Sequence, residues 1–183
     1  MAETTYCLKW NARLRKPIDV VSEDKARARD AAARAGKNVD YYTIVFGDPQ
    51  LPDAFLEVVW ENDFLAVWFV DDDGRRLIEF GFRKVSAQQM FLTEIGRWQY
   101  PAGARADYRD AELIETLYYE QEGIVSHHLD DSQTGRTTIT DYKEVDVSDH
   151  WIDVPAFDDL TFEWIPEWIR DSPRPKGSRS PTS

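Results

Sequence analysis

Seven consecutive apolar residues, Phe64-Leu65-Ala66-Val67-Trp68-Phe69-Val70, stand between two turn signals, Glu61-Asn62 and Asp71-Asp72-Asp73-Gly74. Successive side chains of a strand point to opposite faces of its sheet, so a strand apolar at both parities must be covered on both sides. The run is far short of the ~20 residues that a bilayer-spanning helix needs. A central strand in a packed sheet is the expectation. Its flanks agree. Residues 54–60 form a hairpin partner, and residues 75–83 alternate, with Ile78, Phe80 and Phe82 on one face and Arg75, Glu79 and Arg83 on the other.

Other segments extend this frame. Residues 5–10 alternate and predict a first strand, and Tyr41–Gly47 predicts another. Between them Ser22 precedes Glu23 and Asp24, a hydroxyl N-cap with acids in the first turn, and an Ala- and Arg-rich helix runs on to a stop at Gly36. Its apolar face is nearly all alanine, so it must lie close against the sheet. Pro49 and Pro52 predict a loop over Asp48–Pro52. Residues 87–100 fit either a short strand pair or a broken helix. Residues 112–121 are also ambiguous, with Tyr118-Tyr119 and the turn at Glu122-Gly123 favouring a strand. Residues 124–129 and 136–142 read as a second hairpin around the turn at 130–135. Past Val147, Trp151, Phe157, Phe162, Trp164 and Trp168 among prolines suggest an aromatic strap packed on the sheet. The expected fold class is α+β: a largely antiparallel, twisted β-meander with one N-terminal Ala-rich helix and an irregular aromatic C-terminal strap. Residues 1–171 are expected to form one domain, and 172–183 a disordered Pro/Ser/Gly tail.

Charge is unevenly placed. Residues 107–171 carry 18 acidic and four basic residues, a local net charge of −14, which exceeds the −12 of the whole chain. Such a field repels nucleic acid and anionic membranes and attracts basic partners. The single cysteine, Cys7, cannot form an internal disulfide, and residues 1–5 lack the basic start and apolar run of a signal peptide, so a reduced, cytoplasmic setting is expected. Composition rich in Ala, Arg, Asp and Val suggests a bacterial gene.

Catalytic motifs are missing. The sequence has no Gly-x-Ser-x-Gly, P-loop or Gly-x-Gly-x-x-Gly. The Asp71–Gly74 run fails as a calcium loop, because the position six past Gly74 is Phe80 where a bidentate Glu is required. His127 and His128 are adjacent on a strand and point to opposite faces, which disfavours a shared metal. Cys7 reads as a buried, inert thiol, and Lys25, Arg27, Arg29, Arg34 and Lys37 as a solvated helix face. No cofactor or metal is expected. The acids Asp130, Asp131, Asp141, Glu144, Asp146 and Asp149, interleaved with Tyr142 and Trp151, are the candidate partner-binding surface. Large rings among charges are the composition of interface anchors.

The stretch Thr43-Ile44-Val45-Phe46-Gly47, then Phe55-Leu56-Glu57-Val58-Val59-Trp60 and the Asp-rich hairpin ending at Gly74, resembles the N-terminal sheet of bacterial polymorphic-toxin immunity proteins. Several of these begin with a helix followed by a β-meander. The resemblance covers roughly residues 22–83. It implies an α+β protein that binds and blocks a cognate toxin and has no activity of its own. The expected function is thus a non-catalytic binding module, of immunity or antitoxin type, that neutralises a basic protein through an acidic aromatic surface. Two alternatives stay open. One is a small-molecule-binding protein or enzyme with an aromatic-lined pocket on a curved sheet, using a carboxylate or histidine in acid–base chemistry. The other is a structural or regulatory accessory homodimer joined through residues 164–168. A shielded carboxylate in a cavity would favour the first of these over a flat acidic face.

Overall fold

The computed structural model describes residues 3–37, 39, 41–101, 103 and 110–172. The chain is α+β, dominated by one antiparallel sheet. In chain order the elements are β1 (Thr4–Asn11), β2 (Lys16–Val21), α1 (Glu23–Arg34), β3 (Tyr42–Asp48), β4 (Leu51–Val59) and β5 (Phe64–Val70). There follow β6 (Arg76–Lys84), β7 (Gln89–Gln99), β8 (Leu113–Tyr119), β9 (Val125–Asp131), β10 (Arg136–Tyr142), β11 (Trp151–Asp153) and α2 (Glu167–Arg170). From β3 to β10 each strand pairs with the next, an unbroken meander. β1 adds to the outer side of β3, and β2 folds back beside β1 to form that edge. The opposite edge is β10.

β5 lies in the interior of the sheet, as its two-sided apolarity requires. Leu65, Val67 and Phe69 pair with Phe82, Phe80 and Ile78, and with Tyr42, Ile44, Phe46 and Leu56 they make the main core. Ala66, Trp68 and Val70 point the other way and join Cys7, Val45, Phe55 and Trp98 in a second cluster. The sheet is therefore packed on both faces around its middle strands.

Helix α1 and the C-terminal segment cover the main-core face. Ser22 Oγ accepts the Lys25 N–H at 3.4 Å, and Gly36, at φ +73°, ends the helix in the left-handed region that glycine enters without a Cβ penalty. Ala26 is fully buried, and its small side chain lets the helix axis approach the strands closely. One turn on, the buried Asp30 accepts the Tyr42 hydroxyl at 2.8 Å and the Trp60 indole N–H, while Arg34 Nε donates to it at 2.6 Å. Arg34 stacks on Trp60 and donates to the Pro155 carbonyl, which ties the helix to the strap. Leu160, Ile165 and Ile169 are the fully buried pins of that strap, with Phe157, Phe162 and Trp164 half-buried around them.

Three segments differ from expectation for identifiable reasons. The loop over Asp48–Pro52 shrinks to a turn, because β4 already begins at Leu51; Pro52 is accommodated opposite Gly47 where Asp53 forms a bulge. Residues 87–100 contain neither a strand pair nor a helix but the single strand β7. Its partners shift between Gly81 and Phe82, leaving Thr93 as the extra residue, so Met90, Leu92 and Ile95 share a face at mixed spacing. The resulting pattern mimics a helix. β2 has no clear alternation and was not expected. Residues 112–121 contain β8, in agreement with the strand reading.

After β10 the chain reverses at Glu144, whose φ of +59° is left-handed, and Val145 N–H bonds to Gly123 O at 3.0 Å. This carries it across the end of the β8–β9 hairpin to β11, which pairs with the part of β7 that β8 leaves open. The tail expected to be disordered lies, beyond Ser172, outside the described residues. No helix among the described residues is long and apolar enough to cross a membrane.

Candidate functional site

The eight acidic and aromatic residues singled out from the sequence fall into two groups. Asp130, Asp131, Asp141 and Tyr142 belong to the β9–β10 hairpin. Glu144, Asp146, Asp149 and Trp151 belong to the crossing that follows. In the hairpin, Asp141 pairs with Ser126 and Asp130 with Thr137, a register that places both acids on the sheet face opposite the main core. Asp130 accepts the Thr137 hydroxyl. Asp131 takes the amides of Gln133 and Thr134 at 2.9 and 3.1 Å, bonds that hold its carboxyl below the usual range and shape the turn. Tyr142 lies on the other face and is exposed.

The crossing residues are more structural than the sequence suggested. Glu144 supplies the left-handed reversal. Asp146 accepts the Ser148 amide at 2.9 Å, which depresses its carboxyl. Trp151 is half-buried against Phe91, 4.9 Å between ring centroids. Asp149 is exposed beside His150, whose imidazole is held below its ordinary value mainly by burial.

Strand β10 is exposed along its whole length, including Ile139 and Tyr142, and among the described residues it pairs only with β9. Its outer backbone edge is open, and its sequence, Arg-Thr-Thr-Ile-Thr-Asp-Tyr, contains neither proline nor lysine. The edge at β2 is built differently. There Lys16 sets a charge on the strand, Pro17 has no N–H to donate, and the left-handed Asp19, at φ +53°, is passed over in the register with β1. Proteins blunt edges with such devices to prevent strand addition. Among the described residues one edge is blunted and the other is left open.

Most of the remaining candidates have structural surroundings that account for them. His127 and His128 point to opposite faces: His127 Nε2 lies 3.0 Å from Glu115 Oε1 without an aligned hydrogen bond, and His128 Nε2 meets Ser126 Oγ at 3.0 Å. Cys7 is fully buried, and desolvation pushes its thiol up to about 11. Asp71 accepts the amides of Asp73 and Arg75 and pairs with the Arg75 guanidinium, the work of a turn residue. On α1, Arg27 bridges Glu23 and Asp158 of the strap. A cleft of about 250 Å³ beside this bridge is lined by Tyr6, Phe46, Phe157 and Phe162.

Sequence reasoning passed over a group on the face opposite the main core. Glu57, Glu79 and Glu94 project from β4, β6 and β7 on that side, across a floor of Ala66, Gly81 and Gly96. The two glycines admit aromatic rings: a Cβ at Gly81 would meet the Phe64 ring, and one at Gly96 the Trp98 ring. Trp68 lies 5.6 Å from Trp98 between ring centroids. Glu79, paired with Trp68 on one side and Gly96 on the other, retains only 8% exposure. Burial, reinforced by Glu94 and Glu57 and partly offset by Arg76, raises its carboxyl to about 8. Burial raises Glu57 and Glu94 as well. Arg76 reaches this side because a bulge leaves Leu77 unpaired and re-aims Arg76, whose guanidinium sits 4.0 Å above the Trp68 ring. The Trp68 indole N–H leans toward Glu57 without closing a well-shaped bond. A signal was present in the sequence: if β5 is covered on both faces, acids flanking it on the second face must be buried too.

No family model, curated protein or solved structure matches the chain.

Proposed function

We propose that the protein is a non-catalytic binding module that takes up an extended basic segment of another protein along β10, with Asp130 and Asp141 facing that segment. The observation that carries this reading is the contrast between the two sheet edges: β2 is blunted, while β10 is exposed and unblunted, with Asp141 on it and Asp130 on the neighbouring β9. Strand addition gives affinity through main-chain hydrogen bonds and specificity through alternate side chains. Ile139, 58% exposed on the same face as Asp141, supplies an apolar contact between the charges. An immunity-type protein that neutralises a basic toxin domain is the concrete form of this reading, supported by the element pattern of residues 22–83 and the −14 over residues 107–171. Steering by that field should speed association at low salt and slow it once the Debye length falls to ~8 Å.

The test is affinity capture from host lysate by the wild type, by Asp130→Lys/Asp141→Lys, and by Glu61→Lys/Asp72→Lys, which changes net charge equally away from β10. A basic protein retained by the wild type and the control pair but lost by the β10 pair is the expected result. Equal retention by all three would exclude this edge, and a dimer of the chain itself would exclude a foreign partner.

A further inference from the structure

We propose a second binding site, on the sheet face opposite the main core, in which Glu79, flanked by Glu57 and Glu94 among the Phe64, Trp68 and Trp98 rings, binds an organic cation of the ammonium or guanidinium class. The site stands apart from the β10 reading and goes beyond it. Three observations converge.

The first is that Glu79 is more than nine-tenths buried, yet no hydrogen-bond donor among the described residues engages its carboxyl. Its oxygens are not fully enclosed, so the carboxyl is short of donors from the protein yet reachable from outside. Arg76 is stacked on Trp68 and favours the ionised forms of Glu79 and Glu57 through its charge. The second is the like-charged surroundings. Glu57 and Glu94 both oppose ionisation of Glu79, and among the described residues Arg76 offsets them only in part. The third is the ring content: aromatic faces attract cations through their quadrupoles, most strongly where water is excluded. Gly81 and Gly96 are the residues that let those rings lie against the sheet.

An organic cation fits better than a metal ion. Among the described residues no group of acidic, histidine or cysteine side chains is close enough together to hold one. The carboxylates are spread over β4, β6 and β7, a spacing suited to an extended cation that contacts several of them in turn. The charged and titratable groups facing Glu79 are Glu57 from β4, Arg76 on its own strand, Glu94 from β7 and Tyr118 from β8; Arg83, stacked on Phe64, bears on Glu94. With the site empty at neutral pH, Glu79 keeps its proton. A bound cation favours the carboxylate, so binding should release that proton to solvent.

Agmatine serves as the free small cation and a nona-arginine peptide as the protein-borne one. Each is titrated calorimetrically into the full-length protein at pH 7 in two buffers of different ionisation enthalpy, with Trp emission followed in parallel. Expected are a changed Trp signal, release of up to about one proton per site, and loss of both in Glu79→Gln with affinity down by at least ~tenfold. Glu94→Gln, at the half-buried rim, should weaken binding while retaining proton release. Binding of agmatine identifies a free amine or guanidine as the ligand class, and binding of the peptide alone identifies a basic side chain. Failure of both probes up to ~10 mM, or binding unchanged in Glu79→Gln, would overturn the proposal. Should Glu79→Gln lose binding while capture through β10 persists, the two sites are separate. Should capture fail while agmatine still binds, the fault lies in the β10 reading alone.

Discussion

Replacing Glu79 with Gln should stabilise the protein, and increasingly so as pH rises. In the unfolded chain the carboxyl titrates near 4.5, and in the fold near 8. Below the lower value both states are protonated and burial of the group carries no charge penalty. Between the two values the native state holds a proton that the unfolded state has lost, so stability falls with rising pH. Above the upper value the whole penalty is present. The span from 4.5 to about 8, at about 1.36 kcal/mol per pH unit, sets an upper bound on the order of 4–5 kcal/mol. Relaxation around an ionised Glu79 will reduce this, so a difference of a few kcal/mol is expected. Gln keeps the shape and cannot ionise. Urea unfolding followed by Trp emission, at intervals from pH 5 to pH 9, should give nearly equal stabilities for wild type and variant at pH 5. The curves should then separate, with the variant ahead. Glu57 and Glu94 are raised in the same direction and contribute to both curves, so the difference reports Glu79 together with its coupling to them. A difference independent of pH would refute the account of a buried, unpaired carboxyl.

Other perturbations probe the frame that carries the sites. Asp30→Ala leaves the Tyr42 hydroxyl and Trp60 indole without their acceptor and strips Arg34 of its carboxylate partner; a loss of about 3–5 kcal/mol in chemical denaturation is expected. Phe80→Ala, at a side chain 1% exposed between Phe69 and Trp168, should cost about 3–5 kcal/mol, and a loss under about 1 kcal/mol would contradict its place in the core. Gly123→Ala forces a side chain into the left-handed region and against the Val145 carbonyl, so a clear drop in melting temperature is expected, with the β10 crossing destabilised first in amide exchange.

Most of the strand order was legible because hydrophobic alternation and turn chemistry are local signals. The two-sided run of β5 announced a central strand, and the α1 caps marked both ends of the helix. Local signals failed where tertiary pairing overrode them. At Thr93 a bulge broke the alternation of β7 and made it resemble a helix, and at Pro52 a second bulge let a proline enter a strand. The C-terminal strap was visible from its rings, yet its anchors are the aliphatic Leu160, Ile165 and Ile169. Charge density marked the acidic surface without its local geometry. It could not show that Asp130 and Asp141 share one sheet face, or that the carboxylates of Asp131 and Asp146 are bound to turn amides. Glu79 escaped notice because, in an alternating strand, an acid opposite the apolar face reads as solvated. Only its register beside Trp68 and Gly96 shows that face to be covered as well.

Amide hydrogen exchange across β10, with and without the captured partner, tests the binding reading most directly. In the free protein the outward half of the amides in residues 136–142 should exchange rapidly, since among the described residues no strand lies beyond them. The β2 amides serve as the internal comparison. Bound partner should slow the outward β10 amides by at least ~100-fold, as expected for main-chain bonds in an added strand, and leave β2 unchanged. Protection confined to other surfaces, with β10 exchanging as fast in the complex as alone, would contradict the account.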